Sequence, residues 1–293
     1  MATLLENIQL VCIESGLQSP TAAATNNNKT VKQLIALMNR LGESLLTEFD
    51  WQRLQVQYIF STEAQQISGT TSAGSNIVTG TFPGITVDFV VSGTGIPQDA
   101  RVVSVGVGDV TINQSATVSG TSTLTFARVA YPLPSDFMRF CESTGYDKTA
   151  QVQLYGGKHA AEWQLLKSTV SVAALSPYYR IIGDNMELYP PPANGLTLGY
   201  EYIGKNHVTS ALDVKKEKFT EDTDTSLFPD RLLVMGTKML FWQTKGFDSS
   251  VFERDYQREL SKYTAQQSSS EVLDMSGTRR RDFPYNRDWR VDA

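Results

Sequence analysis

Few residues in this chain are of a type and spacing that could carry chemistry. The two histidines, His159 and His207, lie far apart in sequence. His159 closes the turn-like Gly156-Gly-Lys-His159 stretch and reads as an exposed or structural histidine. There is no serine elbow, no His-Glu-x-x-His pair and no cysteine cluster. Cys12 and Cys141 lack metal-ligand spacing and read as free thiols of a reducing compartment. Gly199-Tyr-Glu-Tyr-Ile-Gly204-Lys205-Asn206 has the spacing of a phosphate-binding loop. Asn206, however, replaces the Ser or Thr that would hold magnesium, and the intervening residues alternate as in a strand. Gly93-Thr-Gly95-Ile-Pro97 fails as a dinucleotide fingerprint, because Pro97 spoils the helix start that should follow. Thr220-Glu-Asp-Thr-Asp-Thr225 has the oxygens to hold a cation weakly, but it serves equally as a polar loop ahead of a helix. The reading is a protein that is not an enzyme, with no cofactor and no metal.

Partner-binding chemistry is better represented. Lys215, Lys216 and Lys218 form a cluster that faces either solvent or the phosphates of DNA, diluted by Glu217 and Glu221. The last stretch carries Arg279, Arg280 and Arg281, then Phe283, Tyr285, Trp289 and Arg290, with no helical or strand period. Aromatic residues are uncommon in tails that stay disordered, and these types are enriched at interface hot spots. Each aromatic buries ~150–250 Å², or roughly 4–6 kcal/mol at ~25 cal/mol/Å². Ordering about a dozen residues costs on the order of 12–24 kcal/mol. One such tail binds marginally, whereas many tails on a ring-shaped partner hold well. The net charge of −5 and pI near 5.2 argue against a protein whose main business is gripping nucleic acid, while leaving room for a local basic patch. No stretch approaches the length of a membrane span, and the N terminus lacks a basic, apolar leader, so a soluble cytosolic protein with no membrane contact is expected.

These features must be positioned by a mixed fold. Hydrophobic periodicity predicts amphipathic helices over 3–16 and 31–48, the second opened by a Thr30-Val-Lys-Gln33 capping box. Leu54, Val56, Tyr58 and Phe60 predict a strand within 51–61. From Ile67 to Phe126 the only charged residues are Asp88, Asp99, Arg101 and Asp109, and Gly, Ser, Thr and Val dominate. Short β-type runs there (76–79, 85–91, 101–105, 109–113, 122–126) predict a small all-β module, inserted between the strand at 51–61 and another at 127–132. Tyr131-Pro-Leu-Pro-Ser-Asp-Phe-Met-Arg-Phe140 should begin extended and turn into a short helix. Strands follow at 152–155, 178–182, 186–189 and 196–202, the last ones as a meander. Two helices, 229–245 and 248–267, joined at Gly246, should pack antiparallel. The fold class is therefore α+β: a helical bundle core with antiparallel strands, an inserted β module and an extended C-terminal tail. The divisions fall at 1–66 and 127–267 (core), 67–126 (module) and 268–293 (tail).

The order of small motifs resembles a known family. Two N-terminal helices lead to an aromatic strand. Tyr131-Pro-Leu-Pro-Ser-Asp-Phe-Met-Arg-Phe140, Trp163, Tyr179-Arg-Ile-Ile-Gly-Asp-Asn-Met-Glu-Leu-Tyr-Pro190, Phe228-Pro-Asp-Arg-Leu-Leu and Tyr256-Gln-Arg-Glu-Leu follow. Outside 67–126 the chain is similar to the head-to-tail adaptor proteins of tailed phages, most of all short-tailed ones. That resemblance implies a virion protein, assembled in the host cytoplasm, that forms a homo-oligomeric ring, usually of twelve copies. The ring would dock beneath the portal protein, contact tail or nozzle proteins, and touch genomic DNA transiently in its lumen. Its C-terminal tail would run along the portal. An acidic overall charge suits a conduit along which DNA must slide. The alternative is a glycan- or surface-binding protein acting through 67–126, a module whose only aromatics are Phe82, Phe89 and Phe126. A tail-associated hydrolase would need an acid/base pair at recognisable spacing, and none is evident.

Overall fold

The computed structural model describes residues 1–156, 159–168 and 177–267. In chain order these form α1 (Leu4–Glu14), α2 (Lys29–Glu48), β1 (Gln55–Ser61), β2 (Ala64–Thr71), β3 (Ile77–Thr79), β4 (Val90–Ser92), β5 (Ala100–Val105), β6 (Asp109–Ile112) and β7 (Gly120–Ala127). Then come β8 (Ala130–Pro132), β9 (Phe137–Phe140), β10 (Tyr146–Asp147), β11 (Val152–Gln153), α3 (Ala160–Ser168), β12 (Tyr178–Ile182), β13 (Asn185–Tyr189) and β14 (Thr197–Gly204). The chain continues through β15 (Val208–Thr209), β16 (Lys215–Lys216) and β17 (Thr225–Ser226) to α4 (Asp230–Thr244) and α5 (Ser250–Gln267).

Local chemistry sets the helix starts. At α1 the Thr3 hydroxyl accepts from the Glu6 amide while the Glu6 carboxylate accepts from the Thr3 amide, a reciprocal capping box. At α2 the cap is Asn28, whose side chain accepts from the Thr30 amide at 2.9 Å. Thr30, expected as the cap, lies inside the first turn, because the preceding asparagine takes the extended backbone and is the better acceptor. Gly246 ends α4 at φ +77°, as its position predicts. The Asp248 carboxylate then accepts from the Ser250 amide at the start of α5.

Helices α1, α2, α4 and α5 share one hydrophobic cluster, with Leu4, Ile8, Leu34, Met38, Leu45, Leu232 and Leu233 among its fully buried members. Contact pairs give the directions. Arg231 meets Glu259 and Trp242 meets Phe252, so α4 and α5 are antiparallel. Gln33 meets Thr244, while Leu41 lies over Gly236, so α2 is also antiparallel to α4. A Cβ on Gly236 would stand 2.5 Å from the Leu41 side chain and 2.9 Å from the Tyr256 ring. The three helices can approach this closely because that position has no side chain. Trp51, buried beneath them, donates its indole N–H to the Leu45 carbonyl at 2.8 Å and packs edge-on against Phe228.

The second layer is a sheet centred on β14, with β1 along one side and β9 and β10 along the other. Tyr200 and Tyr202 on its inner face form an aromatic cluster with Tyr131 of β8 and Tyr179 of β12. Between Ala64 and Ala127, β2, β3, β6, β5, β4 and β7 close into a six-stranded barrel around Val78, Val91, Val102, Ile112, Leu124 and Phe126. The predicted runs at 76–79, 101–105, 109–113 and 122–126 coincide with β3, β5, β6 and β7; of 85–91 only the end is strand, in β4, and β2 had no predicted counterpart. A Cβ on Gly93, which sits at φ +153°, would stand 2.6 Å from the Leu124 side chain.

Four expectations change. Residues 131–140 contain no helix: Phe137–Phe140 is β9, drawn onto the edge of β14 by the pairing of Phe140 with Tyr202, with Asp136 accepting from the Tyr202 hydroxyl at 2.7 Å. Pairing with a neighbouring strand overrides local preference here. The strands that flank the barrel do not match each other: β1 pairs with β14, whereas β8 pairs with β13. The last strands are not a meander, because β12 and β13 form a hairpin with β8 in a separate sheet from β14. Finally, α3, centred on the buried Trp163, replaces a stretch with no predicted helix.

Candidate functional site

A groove of about 840 Å³ opens between α1, α4 and the start of α5. Its apolar lining is Leu10 and Ile13 from α1, Val234 and Met235 from α4, and Phe252 from α5. Leu10 is 44% exposed and Ile13 65%, unusual values for large aliphatic side chains on an ordered helix. Glu6, Glu14, Asp230 and Asp255 ring the groove against Arg231 and Lys238, so its rim is acidic on balance.

Polar contacts brace the walls of the groove beside the apolar core that α1 and α4 share. The Ala2 amide donates to Asp230 at 2.9 Å, and Lys238 bridges to Glu14 at 3.2 Å while lying 4.8 Å over the Phe252 ring. Matching Ala2 with Asp230 and Glu14 with Lys238 shows that α1 and α4 run in the same direction. The Leu4 amide donates to the Asp224 carbonyl at 2.7 Å, and Asp222 accepts from the Ala23 and Ala24 amides at 2.9 and 2.6 Å. The acidic 220–225 loop thus ties down the start of α1 and the loop that joins α1 to α2. Burial alone would raise the Asp224 carboxyl; amides of Thr220 and Glu221 and the Lys216 ammonium outweigh it and hold it below its usual range. Among the described residues no cluster of three or more His, Cys, Asp and Glu could hold a metal.

The groups first considered for catalysis are not gathered. His159 is exposed, and its carbonyl accepts from Trp163 at the start of α3. His207 is fully buried among Phe219 and Phe228, its Nε2 without a partner among the described residues, and burial pushes its pKa down. Gly199 to Gly204 forms part of β14, which leaves no loop to cradle a phosphate. Cys12 and Cys141 are free thiols, both raised by burial, Cys141 to about 11.

A second constellation joins the barrel to the rest of the protein. Glu187 of β13, 8% exposed, accepts from Arg101 of β5, from Lys167 of α3 at 2.7 Å and from the Trp163 indole at 3.3 Å. Asp99 completes the charge balance at 3.6 Å from Arg101 and 3.8 Å from Lys167. Desolvation would raise the Glu187 carboxyl, but the hydrogen bonds and charges of Lys167 and Arg101 dominate and depress it. Sequence reasoning missed this junction. The one local signal was a carboxylate set between Met186 and Leu188 in an apolar strand.

The lysine cluster is partly occupied within the chain. Lys216 pairs with Asp224 at 3.1 Å and Glu221 at 3.3 Å, Lys218 pairs with Glu43 at 3.0 Å, and Lys215 is exposed in β16. Arg279, Arg280, Arg281, Phe283, Tyr285, Trp289 and Arg290 lie outside the described residues. No helix among the described residues is long and apolar enough to cross a membrane.

The described residues thus present an apolar, acid-rimmed groove on braced helices and a barrel joined to the sheet through buried charge. A family model described as SU10 adaptor protein matches residues 31–282. No curated protein matches the chain.

Proposed function

The chain belongs to the SU10 adaptor protein family and is thus a structural adaptor of a bacteriophage virion; from that premise we propose that it forms a ring beneath the portal and joins head to tail. The observation that carries the ring is the groove between α1 and α4. Its rim is acidic, while the exposed side of α2 presents Lys29, Lys32 and Arg40 over its first three turns, ahead of Glu43, which pairs with Lys218, and Glu48. A basic helix face of one copy meeting the acidic groove of the next is a heterologous contact, the kind that closes rings. Twelve copies, the usual number for the adaptors it resembles, fit a portal ring. The C-terminal segment, with Arg279 to Arg281 and its three aromatics, docks on the portal. The barrel sits at the periphery toward capsid or tail components, and Lys215, Lys216 and Lys218 contact passing DNA transiently. Glycan binding by the barrel is the less favoured reading.

The test is a pair of charges in the groove, Leu10→Asp with Ile13→Asp, in the full chain. Both side chains are solvent-facing, so the melting temperature should stay close to that of the parent. Assembly into a ring on portal-bearing heads should be lost. A variant that assembles like the parent removes the groove from the account.

A further inference from the structure

We infer that the outer edge of β1 is the docking site for the segment 268–276 of the same chain, which adds to the sheet as a parallel strand. This goes beyond the adaptor reading and does not rest on it. Among the described residues β1 pairs on one side only, with β14 from Gln55↔Ile203 to Ser61↔Thr197. Its sequence, Gln-Val-Gln-Tyr-Ile-Phe-Ser, carries none of the devices that protect an edge: no charge, no proline and no bulge. Its inner side chains Val56, Tyr58 and Phe60 pack on the rim of the aromatic cluster yet stay half-buried, and Ile59 on the other face is 48% exposed. A strand laid along this edge would complete the ladder and cover those rings.

The position and length of the chain beyond α5 identify the occupant. The last residue of α5, Gln267, is fastened to the approach to β1: its carbonyl accepts from the Gln52 side chain at 3.0 Å, and its own side chain accepts from the Gln52 amide at 3.2 Å. The chain beyond Gln267 therefore leaves beside Gln52, three residues ahead of β1, and a segment that followed the edge from there would run parallel to the strand. The segment 268–276 contains neither glycine nor proline and is followed by Gly277. Extended, it covers roughly 30 Å, more than the roughly 24 Å of seven-residue β1. Leu273 and Met275, two apart, fall on one face and match the aromatic side. Tethering at Gln267 gives the segment a high effective concentration at this edge.

Hydrogen exchange of the β1 amides in the free protein tests this, comparing the full chain with a chain ending at Gln267. The outward amides of Gln55–Ser61 should exchange at least about tenfold faster in the shortened chain, and the ratio should not depend on protein concentration. A full-length variant with Val272→Pro and Leu273→Pro, which keeps the length and removes strand donors on both faces, should exchange as fast as the shortened chain. Equal exchange in all three overturns the proposal. Protection in the full chain that falls on dilution also overturns it, because the strand then comes from a second copy. Neither measurement involves a portal, so failure here is distinguishable from failure of the adaptor reading.

Discussion

Replacing Glu187 with glutamine should destabilise the protein more than most conservative substitutions do. The carboxylate is 8% exposed and faces Arg101 and Lys167, themselves 23% and 12% exposed. Glutamine keeps the shape, removes the charge, and turns one acceptor into an amide donor facing other donors. The cluster of Arg101, Lys167, Glu187 and Asp99 goes from neutral to a net positive charge in a partly buried site. Removing one partner of a buried pair costs about 3–5 kcal/mol; the partial exposure of Arg101 brings the expectation to the lower end, about 2–3 kcal/mol. At ~2–4 °C per kcal/mol for a domain of this order of size, the melting temperature should fall by about 5–10 °C. Calorimetry at neutral pH reads it. Glu63→Gln, which breaks the exposed pair with Arg128, is the control and should shift stability by less than about 1 kcal/mol. The pH dependence has a fixed sign. Glu187 titrates below its ordinary 4.5 in the folded state, so the unfolded chain takes up the proton first as pH falls. Its contribution is complete above about pH 4.5 and is lost as pH drops through the folded value. The difference between parent and variant should shrink over that range. A shift at neutral pH no larger than that of the Glu63 control refutes the idea that this charge pins the barrel.

Two further outcomes follow from the buried histidine. Burial lowers the His207 pKa from its ordinary 6.5, so the unfolded chain binds the proton more readily. The urea midpoint should hold above about pH 6.5, fall as pH drops below it, and lose that slope in His207→Gln; a parent profile flat between pH 7 and 5 contradicts this. A Cβ at Gly42 would stand 2.2 Å from the His207 ring, so Gly42→Ala overpacks the core by about 1–3 kcal/mol. Up to ~1 kcal/mol returns as helix propensity. A net loss in denaturant melts is expected, and a gain would mean the imidazole swings aside.

What the sequence made legible were the elements whose period is local. The stripes of α2, α4 and α5, the stop at Gly246 and the barrel strands β3, β5, β6 and β7 follow from side chains spaced along one element. What stayed hidden was long-range pairing. Nothing within Phe137–Phe140 shows that β14 lies alongside to capture it, and nothing in 51–61 shows that its partner sits at 197–204. The groove was equally invisible, because nothing within 3–16 shows that α4 and α5 lie beside Leu10 and Ile13. The acidic 220–225 loop, read as either a cation site or a polar linker, is a brace because Asp222 and Asp224 meet backbone amides from distant and adjacent segments.

The most direct test of the adaptor reading is co-sedimentation with portal-bearing heads of the same virus, comparing the full chain with a chain ending at Gln267. The full chain should bind in a fixed ring stoichiometry and the shortened chain should not. Binding by both forms would transfer docking to the helices and remove the tail from it. Binding by neither would contradict the portal-adaptor account itself.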